Sequence, residues 1–292
     1  MPAGLFVAVG HQGLRTVSEN GADWKNAQVG KEGEIYLAVC AGLGRFVAVG
    51  SYGGSNIHAA STDGVTWKTA VRDVKYVKYV RGVTLGKDKF LGVGGDPGSV
   101  GSSDPFGLFS TDGLAWSEMH SLSGKQIIRR VAWGNDIFVG VGDRGRRAVS
   151  PDGKEWKDMP AVKAIDTLVD VAFGNGVFVG VGLHGLRMRT DDGLRWTDRQ
   201  VGDEGEHLNS VLWAGDRFVA IGMTATYTSK DGVAWDRHAA KNGPTTATFG
   251  AGVYVGTRWR GRMLRSTDAI DWQEVHKTEH PIEAVAYGVL EG

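Results

Sequence analysis

A chain of 292 residues is long enough for one large domain with a sizeable core. Lys+Arg and Asp+Glu both number 33, so the net charge is zero; with no basic surplus to neutralise a phosphate backbone, a nucleic-acid partner is not expected. Hydrophobic residues make up 41% of the chain, but no run approaches the roughly 18 consecutive apolar residues of a spanning helix, and the 45 Gly against 7 Pro point to many tight turns.

The first apolar run, Leu5-Phe6-Val7-Ala8-Val9, is far too short for the core of a secretory signal. The compartment is left open: an exported protein whose leader has been removed fits the sequence as well. The run reads instead as a strand, because β-branched residues alternate with a second set of side chains. It leads to the first copy of a motif: Ser18, Asn20-Gly21, Trp24. The same order of Ser or Thr, any residue, Asp or Asn, Gly, two residues and Trp returns at Ser61-Trp67, Ser110-Trp116, Ser150-Trp156, Thr190-Trp196, Ser229-Trp235 and Ser266-Trp272, the last with Ala269 in place of Gly. Successive tryptophans lie 43, 49, 40, 40, 39 and 37 residues apart. A unit of that length, rich in short strands, predicts propeller blades.

Each unit divides into four strands, A to D, clearest in the fourth: Ile127–Trp133, Ile137–Gly142, Arg146–Ser150 and Glu155–Met159. Strand B is the most regular, as in Phe46-Val-Ala-Val-Gly50 and Phe178-Val-Gly-Val-Gly182. Val47 and Val49 share one face of it; Phe46, Ala48 and Gly50 share the other. The positions equivalent to Ala48 (Ala8, Gly92, Gly140, Gly180, Ala220, Gly256) are all small, which predicts room for a bulky residue from a neighbouring blade. The chain starts in a strand B and ends in a strand A, Ile282–Tyr287, so the C-terminal strand is expected to complete the N-terminal blade and leave no open edge. The expectation is a single all-β domain over 1–292: a seven-bladed β-propeller of four-stranded antiparallel blades. It is expected to be a monomer.

The motif has a structural reading of its own. Gly supplies a positive φ in the hairpin between strands C and D, Asp and Ser bond local backbone N–H groups, and Trp buries its ring between blades. One carboxylate and one hydroxyl per motif fall well short of the six to eight oxygens calcium takes, so no metal is expected. No His/Cys spacing of metal type and no phosphate loop occurs, and no cofactor is expected. Cys40, inside Leu37-Ala38-Val39, reads as an inert thiol.

On these motifs the sequence resembles the Asp-box, or BNR-like, repeat propellers over nearly its whole length. The usual family spacing has one more residue between Asp and Gly than is found here. In that family the box staples the outer part of the blade, away from the ligand site, so the resemblance implies architecture rather than activity. The family includes sialidases, xyloglucanases and seven-bladed photosystem assembly factors that bind a polypeptide; sialidases resemble this chain in the box alone.

The D-to-A and B-to-C connections are expected on one face, around the channel mouth. Three sets of residues fall there. The starts of the A strands bring Arg81, Arg129, Arg130, Asp170, Asn209 and Glu283 to the mouth, with Leu37 and Thr245 at the matching positions of two other blades. The B-to-C turns carry His11, Tyr52, Asp96, Asp143, His184 and the run Arg258-Trp259-Arg260, in which Arg258 stands where other blades carry Gly. The third set is the insertion 95–107 in the third blade. The leading expectation is a binding propeller for a small anionic ligand, an anionic glycan or a protein segment, through Arg81, Arg129, Arg130, Asn209, Tyr52, His184, Arg258, Trp259 and Arg260. The alternative is a carbohydrate-active enzyme, a glycoside hydrolase or polysaccharide lyase, using carboxylates such as Asp170, Glu283 and Asp143 at the same mouth.

Overall fold

The computed structural model describes residues 4–72, 79–96, 104–124, 126–160, 162–163 and 166–290. Among them the strands form seven four-stranded antiparallel sheets. Each sheet is one blade, its strands A to D following one another from the inside of the ring outward. The second blade, for example, runs Ile35–Gly42, Arg45–Tyr52, Ser55–Ser61 and Lys68–Arg72. In the first blade, strand A is Ile282–Val289, and it pairs with strand B, Gly4–Gly10, from Gly4↔Val289 to Gly10↔Ile282. The ring is therefore closed by the two ends of the chain, as the strand order predicts.

The apolar residues do not gather in one central core. They form seven clusters, each shared by two adjacent blades. Val7, Val9 and Val17 of the first blade meet Tyr36, Phe46, Ala48 and Ile57 of the second. Val47, Val49 and Ala60 of the second meet Val80, Phe90 and Leu108 of the third. The two faces of each strand B thus serve different neighbours, which is why the strand is apolar on both sides.

The box is the joint of this arrangement. In the second blade Asp63 Oδ1 accepts the N–H groups of Val65 (2.8 Å) and Thr66 (2.6 Å), and the indole of Trp67 donates to the Gly64 carbonyl (2.9 Å). The same bonds recur in the last blade, where Trp272 donates to the Ala269 carbonyl at 3.0 Å. Burial raises the Asp63 carboxyl, but the bonds from Thr66, Val65 and Ser61 together outweigh it and hold the group down at about 2. The box glycine leans on the preceding blade: a Cβ at Gly64 would come within 2.5 Å of Leu5, and one at Gly113 within 2.4 Å of Val47. Positive φ and this close approach both call for Gly. Ala269 meets the same demands with φ 63 and complete burial.

The small column of strand B has a different cause from the one the sequence suggests. A Cβ at Gly140 would meet Trp156 at 3.0 Å, and one at Gly180 would meet Trp196 at 2.9 Å. Nearer still are Ile128, at 2.8 Å from the first, and Leu168, at 2.6 Å from the second, so the space is filled from within the blade, by its own strand A side chain and its box tryptophan. Beyond that ring, strand C of the preceding blade supplies a polar partner: His58 stacks on Trp116 at 4.9 Å, and the guanidinium of Arg147 lies 5.3 Å from the Trp196 ring. Arg187 does the same with Trp235 and stands 3.8 Å over Tyr227. Cys40 packs between the second and third blades, and burial pushes its thiol up to about 12, consistent with an inert group.

Candidate functional site

The A strands reach the channel mouth through a repeated irregularity. In six blades the register slips by one residue near the start of strand A, between Val80 and Gly82 or between Ile128 and Arg130, for example. The skipped residues are Glu283, Leu37, Arg81, Arg129, Val169 and Asn209. A bulge of this kind bends the strand and re-aims the extra side chain. Here it sets one residue of each of these blades on the rim. The glycine ending strand B is its counterpart, since a Cβ at Gly142 would sit 2.0 Å from the Ile127 carbonyl oxygen and one at Gly182 would sit 2.0 Å from that of Thr167. These glycines let the strand A backbone pass close by.

The seventh blade departs from this scheme. Its A–B pairing runs without a register shift and stops at Thr246↔Thr257. Pro244 takes the place that Ile128 or Leu168 holds elsewhere; lacking an N–H, it cannot extend the ladder. Its ring covers Gly256 instead, with a Cβ there only 2.5 Å from Pro244 Cβ. Position 258 is thereby released from the glycine requirement. Arg258 pairs across the hairpin with Arg262 and donates to Asn242 Oδ1 at 2.8 Å.

The predicted mouth residues resolve into pairs. Arg129 grips Asp143 with two parallel bonds, Nη2 to Oδ2 measuring 3.0 Å. Arg130 lies 3.9 Å from Asp170 and lines a channel cavity of about 110 Å³ with Ala38, Gly82, Thr246 and Ala284. Asp170 is bound to backbone: its oxygens accept the N–H groups of Val171 and Val211, both at 2.9 Å, joining the fifth blade to the sixth. Burial raises its carboxyl even against Arg130 and these N–H groups. Glu283 meets His11 Nε2 at 2.8 Å, across the strands that close the ring.

Arg81 differs from its neighbours. Its guanidinium lies 5.5 Å from the Tyr79 ring, and its Nε is buried without a hydrogen-bond partner among the described residues. Burial, followed by the like charge of Arg129, holds it below the ordinary arginine range, with Asp143 and Tyr79 partly offsetting this. Arg81, Arg129 and Arg130 therefore form one cationic stretch across the third and fourth blades, with Asp143 and Asp170 against it.

The remaining predicted residues stand apart. Asn209 is half-buried on the rim. Tyr52 lies under Lys31, whose Nζ is 5.9 Å from the ring. His184, with φ 55, donates its backbone N–H to His207 Nδ1 at 3.1 Å, and the two rings meet edge to face. Trp259 is 68% exposed and Arg260 is exposed beside it. Residues 97–103 of the predicted insertion lie outside the described residues. Sequence reasoning missed the strand C column of Arg15, His58, Arg147 and Arg187. Its signal was available in the fixed offset of three residues before each box Ser or Thr.

Among the described residues no cluster of three or more metal-ligating side chains occurs, and no helix is long and apolar enough to cross a membrane. No family model matches the chain, and no curated protein matches it. Solved structures do: "YCF48 bound to D1 peptide" is similar over 92% of this chain and 85% of its own, at 13% identity and a TM-score of 0.62. The computationally designed Ika8 protein is similar over 84% of this chain and 76% of its own, at 14% identity and a TM-score of 0.56. At such identities these likenesses show the fold, and the chain is a seven-bladed propeller.

Proposed function

We propose that this chain is an Asp-box-type propeller whose channel-mouth face binds a polypeptide segment, with an acidic side chain of the partner received by Arg81, Arg129 and Arg130. The observation that carries this reading is Arg81, a half-buried guanidinium beside a second arginine, whose Nε has no acceptor among the described residues. A partly desolvated cation in that position is stabilised by an incoming carboxylate. The seven rigid blades fit a scaffold role, and the similar YCF48 structure holds a peptide.

The commitments of the mouth carboxylates favour binding over hydrolysis or lyase chemistry. Asp143 is held by Arg129, Glu283 by His11, and Asp170 by two backbone N–H groups. An acid–base pair needs groups within reach of a substrate proton rather than tied to the fold. The test is a peptide array probed with the wild type and with Arg130→Glu. Acidic sequences retained by the wild type and lost by the variant support the reading. Identical patterns for both would overturn it, and turnover of an acidic oligosaccharide would favour the enzyme.

A further inference from the structure

The seventh blade carries a second surface, separate from the mouth cluster. Arg258 of strand B sits directly opposite Arg262 of strand C, and Arg262 directly opposite Lys277 of strand D. Like charges placed opposite one another on a sheet destabilise it. Directly paired residues share a face, so the three cations form a row across the top of the blade, with strands about 4.8 Å apart. The neighbouring carboxylates are few: Glu274 reaches Arg262 at 3.4 Å, and Glu279 lines a cleft with Arg260 and Lys277. The fold itself gives no reason for this row, because the matching rung of the second blade is uncharged: Gly50, Ile57 and Val71.

Beside the row stand exposed apolar side chains. Trp259 is 68% exposed at the hairpin tip, and Met223 of the sixth blade is 48% exposed. A short chain of bonds joins the two blades here: Arg258 bonds Asn242, and the next residue, Gly243, donates to the Met223 carbonyl at 3.4 Å. Exposed aromatic and Met side chains rimmed by arginines are the composition of a protein contact patch.

We infer that the face of the seventh blade carrying Arg258, Arg262, Lys277 and Trp259 is a docking surface for an extended acidic polypeptide segment that carries an apolar side chain. Alternate residues of an extended segment lie about 7 Å apart on one face, so two carboxylates can meet a row about 10 Å long. The intervening chain then brings an apolar side chain over Trp259 and Met223. Charge complementarity selects this occupant. A nucleic-acid strand would need a longer cationic track than one blade offers.

The probe is a fluorescein-labelled peptide of alternating Glu and Leu, read by anisotropy at moderate salt, with an alternating Lys and Leu peptide alongside. The expected result is saturable binding of the acidic peptide alone, weakened about tenfold by Lys277→Glu and by Trp259→Ala. Both positions are at the surface, and circular dichroism checks that each variant is folded. The same titration in an Arg130→Glu background, where the mouth no longer competes for acidic peptides, separates the two surfaces: binding that persists there and is still weakened by Lys277→Glu sits on the seventh blade, and binding that is lost there overturns the inference. Affinity unchanged by Lys277→Glu and Trp259→Ala overturns the inference, as does no binding at all. Tighter binding of an oligothymidylate, or of phosphatidylserine vesicles, would overturn it in favour of those partners.

Discussion

Six blades and the seventh solve the same problem in opposite ways. In the six, a bulge in strand A aims one side chain at the mouth, and the glycine ending strand B makes room for the displaced backbone. In the seventh, Pro244 ends the pairing early, no glycine is needed, and Arg258 extends the hairpin that lifts Trp259 into solvent. The difference shows that a departure from a repeat is first a change in backbone pairing and only then a change in side chain. One blade gives up a rim position and gains a projecting edge.

The comparison can be broken most severely at the tryptophans. Trp156 is 7% exposed, whereas Trp272 of the seventh blade is half-buried. Trp156→Ala is expected to cost about 4 kcal/mol by urea unfolding, and Trp272→Ala clearly less. Equal losses would mean that the seventh blade is as tightly wedged as the fourth. Next in size is the glycine ending strand B. Gly142→Val drives a side chain into the Ile127 carbonyl and is expected to cost about 3 kcal/mol, at the upper end for overpacking. The reverse change, Arg258→Gly, should cost no more than about 1 kcal/mol, chiefly through backbone entropy. A loss at Gly142 as small as that at Arg258 would refute the link between the bulge and the glycine.

The box itself offers a subtler contrast. Ala269→Gly relieves a left-handed alanine, worth about 1 kcal/mol, and removes a buried methyl, worth about 0.8 kcal/mol. The two nearly cancel, so the midpoint of thermal unfolding should move by no more than a few degrees. Last comes the pH dependence that the box carboxylates carry. Asp63, Asp112, Asp152, Asp192, Asp231 and Asp268 are all lowered in the folded chain, so their contribution is complete above the ordinary aspartate value. It fades as the pH falls through the folded values, about 2 for Asp63. Unfolding followed from pH 5 to pH 2 should therefore show falling stability, with a shallower slope in Asp63→Asn. The first blade, with Asn20 in the same role, already shows that an amide can make the bonds.

The fold was legible because the box repeats in sequence what it does in space. Asp63, Gly64 and Trp67 perform local tasks within a few residues, and local tasks leave a linear trace. Strand identities and the closing pair of chain ends followed from counting those units. The bulge left no such trace, because it concerns how strand A lies against strand B rather than the composition of either. Gly142 could be seen as invariant among most blades, but its reason lay in the Ile127 carbonyl across the sheet. The same limit applied to the small column, whose space is taken by the blade's own Ile128 and Trp156, or Leu168 and Trp196. At the starts of the A strands, alignment picked out Arg81, Arg129, Asn209 and Glu283, which the bulges set apart, but took Asp170 where the fifth blade bulges at Val169. Which of them would be neutralised, as Arg129 is by Asp143, depends on turn geometry that no linear pattern records.

Closure of the ring also fixes a polarity for anything joined to the chain. Gly4 and Val289 are direct partners at the end of their strands away from the B-to-C turns, so the first and last strands of the chain begin and end on the side opposite those turns. A tether, a fused domain or an immobilising tag attached at either terminus would hold the propeller with its arginine rim and Trp259 facing outward. A sensor chip coated through either end would therefore present every molecule in its accessible orientation.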